Sequence, residues 1–471
     1  MIFKEQLEIL QKGINTYMPV LGEFFDYKKT LAEHSERITE QNPDPTHLER
    51  QVLIAQTIKN ELQRLYNIEN NFPEPPFAIN IVDHHAVLTH PILTATNITV
   101  NAKHLLETGV KKPSVVFSSA IVPPNNFLNK KGIHLHGKSV SFFSGKEIHQ
   151  AAYCMPKHDF HFIERLKQNK QWAQFTTEEQ NFLEKIESEI LAISMDQAIN
   201  YADQVGLINN WLWPKLFAPE LRDNLPELTY IPSEEIIRLN IENIFNGKSN
   251  IDRALFDPEQ RTKVLELFKD VSGCWTKSGD KGTHFFWYKD KDNKPEAMRL
   301  ENEQLVAVNS NVIIPFTRET IITAIKEKQI IPSLFVIYGW IVFWCGVKPL
   351  SGYGSSTYLT NMKKAWTKLL EHFDQEEKER VSKIDTKSLV GGEIVTYKRV
   401  DSKLIPQCAF DVLYDGGLTR NYVEHLNQMK FGNLVKPSMP EVYNSYVPQS
   451  ERENMKLTPN DMLGADFDWI V

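Results

Sequence analysis

Apolar residues between Thr46 and Asn70 recur at nearly a helical period. Leu48, Val52, Leu53, Ile58, Leu62 and Leu65 form one stripe, which predicts an amphipathic helix. The proline-rich stretch NFPEPPF (71–77) ends it and makes a natural linker. Beyond it the pattern changes to short apolar runs. FAINIVD (77–83), SVVFSSAIV (114–122), GIHLHG (132–137) and SVSFF (139–143) predict strands, with a helix around 99–109. From Phe160 to about Asn246 the period is helical again. Thr176 followed by Glu179 makes a capping-box arrangement, and residues 232–247 run from a Pro-Ser start to an Asn-Gly stop.

Residues 283–300 predict a hairpin, with DKDNKP (290–295) as its tip. Its HFFWY segment (284–288) is expected to pack in the hairpin core. The last third alternates helices (317–328, 358–372, 419–429) with the strand candidates GEIVTYKRV (392–400) and AFDVLY (409–414). Four regions follow: a helical N-terminal segment (1–72), a β-containing region (73–165), a helical region (166–260) and a mixed C-terminal region (261–471). The expected class is α/β or α+β, a mixed β-sheet core with a helical N-terminal segment and a helical middle region.

At 471 residues, 41% hydrophobic and 24% charged, the chain has the composition of a globular protein with two or three core-forming units. A net charge of −7 argues against a dedicated nucleic-acid binder. The four cysteines form no CxxC pair, which excludes a zinc ribbon and fits a reducing compartment. The uncharged run from Ile330 to Val347 reaches the lower limit for a membrane span. Its proline, glycines and isolation in the chain make it a buried core segment instead. A cytoplasmic, soluble protein with no membrane partner is expected.

Candidate chemistry concentrates in the second region. Nine of the 14 histidines lie between His84 and His161, where an even spread would place roughly two, and histidine is both a common metal ligand and the usual acid or base near neutral pH. If the run ending Asp83-His84-His85 stays a strand to its end, Asp83 and His85 share one face and His84 takes the other. His134 and His136 share a face in GIHLHG. Two such strands side by side would offer Asp83, His85, His134 and His136 to a divalent metal such as Zn, Mn or Fe. His90 and His149 are then candidates for proton transfer, and Asn97, Ser118 and Ser119 for binding a small polar substrate. Hydrolysis is the expected reaction, with a non-haem iron oxygenase as the oxidative variant.

Two resemblances bear on the same residues. Asp83-His84-His85 after a strand is similar to the signature of the DHH phosphoesterases, which use manganese. That family also carries upstream aspartate motifs, and only Asp26 and Asp44 precede Asp83 here. HHAVLT (84–89) resembles the HHxxxD motif of coenzyme-A-dependent acyltransferases, with Thr89 standing where the aspartate should be. It implies a metal-free transferase with His85 as general base. A non-catalytic interaction protein, whose histidines fill a polar interior, is the third alternative.

Overall fold

The computed structural model describes residues 2–109, 111–126, 131–279 and 281–470. In chain order the first strands are β1 (Ala78–Asn80), β2 (Ser114–Ser118), β3 (Gly132–Leu135), β4 (Lys138–Ser141) and β5 (Leu228–Pro232). Then come β6 (Phe286–Lys289), β7 (Pro295–Glu301), β8 (Gln304–Ala307), β9 (Ile313–Pro315), β10 (Ile330–Pro332) and β11 (Lys348–Leu350). The last two are β12 (Tyr397–Val400) and β13 (Lys403–Pro406). Helices pack around them, and the fold is a mixed α/β one with a helical N-terminal region and helical middle segments.

A four-stranded parallel sheet in the order β11-β1-β2-β5 forms the centre. Its residues alternate between two layers, as the pleat requires. Val116 and Tyr230 enter one hydrophobic cluster, with Leu88, Leu93, Val205 and Leu212. Phe117 and Ile231 enter the other, with Ile79, Ile81, Trp340 and Trp366. Burial on both faces explains why β5, LTYIP, is a continuous buried run without polar alternation. That strand lies in the stretch expected to be helical, because a short apolar run reads the same way in a buried helix and a buried strand.

The antiparallel sheet β10-β6-β7-β8-β9 flanks the centre and contains the expected hairpin, β6–β7. At its tip the Asp290 carboxylate accepts the amides of Asp292 and Lys294. β3 and β4 make a separate two-stranded sheet. The expected pairing of GIHLHG with the strand before His84 is therefore replaced by a local hairpin, and β1 takes β2 and β11 as its neighbours.

The early helix runs from Pro45 to Tyr66, capped by Asp44 and stopped by Asn67 in the left-handed region. Its buried face differs from the apolar stripe in part. Val52 and Leu53 are exposed, whereas Gln51 and Glu61 are buried. Gln51 bonds the amide of Phe77 and the carbonyl of Gly346, and Glu61 pairs with Arg64. Polar partners thus select the inward face alongside hydrophobicity. AFDVLY, expected as a strand, is a helix (Ala409–Tyr414) because Asp411 accepts the Cys408 amide at its start. GEIVTYKRV is a strand only over its last four residues, β12. Thr176 and Glu179 form the expected capping box. The apolar run at 330–347 divides into β10 and a buried helix, Leu334–Ile341. Among the described residues no helix is long and apolar enough to cross a membrane.

Phe117 sits in the middle of the central sheet with no exposure. Replacing it by alanine should cost about 3–5 kcal/mol, read as a fall in the urea midpoint at unchanged slope.

Candidate functional site

The Asp83-His84-His85 segment begins where β1 stops. The side chain of Asn80 accepts the amide of Val82, a local turn that interrupts the strand. The backbone then rejoins β2: Ser119 donates to the Asp83 carbonyl, and His85 donates to the Ser119 carbonyl, each at 2.9 Å. His84 and Ser119 are paired residues in this short parallel bridge. Side chains on either side of them point the opposite way, so the triplet divides between two environments.

Asp83 and His85 face a sealed interior. The Asp83 carboxylate has no exposure to water. One of its oxygens accepts the Tyr230 hydroxyl and, at 2.8 Å, the amide of Asn97. Asn97 also accepts from Asn80 and donates to the Leu93 carbonyl. Burial raises the Asp83 carboxyl to about 6, against the lowering influence of Tyr230 and Asn97. His85 Nε2 lies 2.7 Å from the Ala202 carbonyl, so it carries the hydrogen, and Nδ1 accepts from the Ser118 hydroxyl at 2.6 Å. Burial lowers its pKa to about 4, which keeps the ring neutral. Both nitrogens of His85 are thus engaged in holding the fold together.

His84 and Ser119 face the other way, into a cavity of about 590 Å³ at the carboxyl ends of β1 and β2. The chain leaves β1 toward β2 and β5, then returns to add β11 on the opposite side. The crevice beyond such a reversal is where open parallel sheets hold their ligands. Trp287 from β6, Tyr338 from the helix Leu334–Ile341 and the loop around Trp275 complete the wall. That loop turns at Gly282, with φ +73°, where a Cβ would stand 1.8 Å from the Cys274 carbonyl oxygen. Ser333 also lines the cavity; it is 5% exposed, and its hydroxyl has no hydrogen-bond partner among the described residues.

Behind this wall lies Glu234, with no exposure and a carboxyl pushed up to about 7 by burial. It accepts the amides of Ala120 and Ile121, at 3.0 and 2.9 Å. These are the residues that follow Ser119, so Glu234 fixes the backbone from which Ser119 projects. Sequence reasoning missed Glu234, Ser333 and Tyr338, for no local motif distinguishes them from ordinary helix-start or core residues. Trp287 carried a signal in the aromatic run HFFWY. Phe285 and Phe286 do form hairpin core, while Trp287 turns to the cavity.

The other expected site residues occupy separate surroundings. His90 caps the helix Pro91–Asn101, its Nδ1 accepting the Ile92 amide. His149 is exposed and bonds Asn125. Ser118 supports His85, and Asn97 belongs to the sealed network. His136 adopts a left-handed backbone and bonds Glu179 at 2.9 Å. His134 lies 3.4 Å from the Cys408 sulfur. Among the described residues, the group close enough to share a metal is His134, Cys408 and Asp411, which takes one member of the expected quartet.

The raised pKa of Asp83 has a definite sign for stability. Its folded value exceeds the unfolded one, so its favourable contribution is complete below the ordinary carboxylate range and is lost as pH rises through about 6. Between pH 4.5 and 7.5 the wild type should lose about 1–3 kcal/mol relative to Asp83→Asn, measured by urea unfolding of both proteins.

No protein-family model matches the chain, and no curated protein matches its sequence.

Proposed function

We propose that the chain is an enzyme that takes a small organic molecule into the cavity at the carboxyl ends of β1 and β2 and uses His84 to move a proton. One observation carries this reading: His84 and Ser119, paired across two parallel strands, both line a cavity large enough for a metabolite-sized ligand. Imidazole is the usual side chain for acid–base chemistry near neutral pH. The Ser119 hydroxyl is a donor and acceptor beside it. Trp275, Trp287 and Tyr338 supply flat apolar surface with few polar atoms, which suits an organic substrate.

The transferase alternative placed the base at His85. His85 is buried against Ser118 and Ala202 and does not line the cavity, whereas His84 does, and this makes His84 the better candidate for that role. Metal-assisted hydrolysis has one observation in its favour, the His134–Cys408–Asp411 group, and none of those three residues lines the cavity.

The test is to incubate wild type and His84→Gln with a mixed metabolite extract and compare the two by mass spectrometry. The wild type should deplete at least one small molecule, and the variant should do so about 10²–10⁴-fold more slowly at an unchanged melting temperature. Ser119→Trp, which fills the cavity, should abolish the depletion. Identical depletion profiles for wild type and both folded variants would overturn the proposal.

A further inference from the structure

The β3–β4 hairpin meets the start of the helix Ala409–Tyr414, 274 residues further along the chain. One ligand atom from each of His134, Cys408 and Asp411 lies within 4.8 Å of the others. Imidazole, thiolate and carboxylate are the three donor types that zinc accepts from proteins. Zinc–sulfur and zinc–nitrogen bonds of about 2.3 and 2.0–2.1 Å, meeting at a tetrahedral angle, place the two donor atoms about 3.5 Å apart. The observed separation of Cys408 Sγ and His134 Nδ1 is 3.4 Å.

The third donor is held in place by the backbone. The His136 amide donates to Asp411 Oδ1 at 2.6 Å, and the Cys408 amide donates to Oδ2 at 2.8 Å. Each oxygen keeps a further lone pair for an ion. Amides that orient a carboxylate in this way are the outer support that metal ligands need. Cys408 and Asp411 are buried and His134 is half-buried, so the group is shielded but within reach of solvent.

We propose that His134 Nδ1, Cys408 Sγ and an Asp411 oxygen bind one Zn²⁺ ion, with water in the fourth position. Binding forms a zinc–sulfur bond and releases the Cys408 thiol proton to solvent, with no change of oxidation state. The ion clasps the β3–β4 hairpin to the distant helix. This site stands on its own geometry and does not depend on the role of the cavity. Without an ion, the same contact is a thiol–imidazole hydrogen bond, and experiment separates the two.

The full-length, tag-free, reduced protein would be dialysed free of metal and titrated with Co²⁺ as a spectroscopic probe, then with Zn²⁺. The expected result is about one equivalent bound, with the absorption of a cobalt–thiolate bond. That absorption should disappear in Cys408→Ser and weaken at least about tenfold in affinity in His134→Gln. X-ray absorption at the zinc edge of the wild type supplies a readout that needs no variant, and one sulfur at about 2.3 Å is expected in the first shell. A first shell without sulfur overturns the proposal, as does an undiminished cobalt–thiolate absorption in folded Cys408→Ser.

Discussion

A carboxylate cut off from water needs hydrogen bonds, and Asp83 receives them on one oxygen, Oδ2, while Oδ1 has no hydrogen-bond partner among the described residues. Tyr230 reaches it from β5 and Asn97 from the helix Pro91–Asn101. The residue therefore ties together the end of β1, the first crossover helix and the far strand of the parallel sheet. A buried polar group that lost one of these partners would cost more than the bond itself returns. That asymmetry makes the arrangement specific, because the carboxylate has to meet donors from two separate elements, β5 and the helix Pro91–Asn101.

The position of the cavity follows from this anchor. With Asp83 and His85 turned into the interior, the intervening His84 is forced outward beside Ser119. Glu234 performs a parallel task from the helix Ser233–Leu239, accepting two consecutive amides after β2. Interior carboxylates thus hold the structure in place, while His84 and Ser119 project from the opposite face into the cavity. The arrangement separates buried, hydrogen-bonded side chains from cavity-facing ones within a few residues. It also explains why groups with strongly shifted proton affinity occur here without touching the cavity. Desolvation shifts a buried structural acid just as it shifts a catalytic one.

The sequence carried much of the local structure. The helix at Pro45–Tyr66, the capping box at Thr176, the β6–β7 hairpin and the strands near residues 78, 114 and 132 all have short-range signals. Where the structure departs from the apolar pattern, polar partners and strand neighbours that this pattern does not register decided the outcome. Gln51 turns inward because the remote Phe77 and Gly346 satisfy it, and Glu61 because Arg64 pairs with it one turn along the same helix. Residues 409–414 are helical because Asp411 closes a cap, although alternating apolar residues suit a strand equally well. β5 and β11 are short, and their identity as strands comes from neighbours far away in the chain.

The histidine-rich region shows the same division. Its sequence by itself determined that titratable groups would gather after the first strand, and that neighbours in Asp83-His84-His85 would face opposite ways. Both follow from local composition and the two-residue period of an extended chain. Which face would be sealed and which would open to a cavity was decided by the tertiary structure. So was the meeting of His134 with Cys408 and Asp411. Burial and long-range proximity depend on what other segments pack against a residue, and no periodicity within a single stretch encodes that.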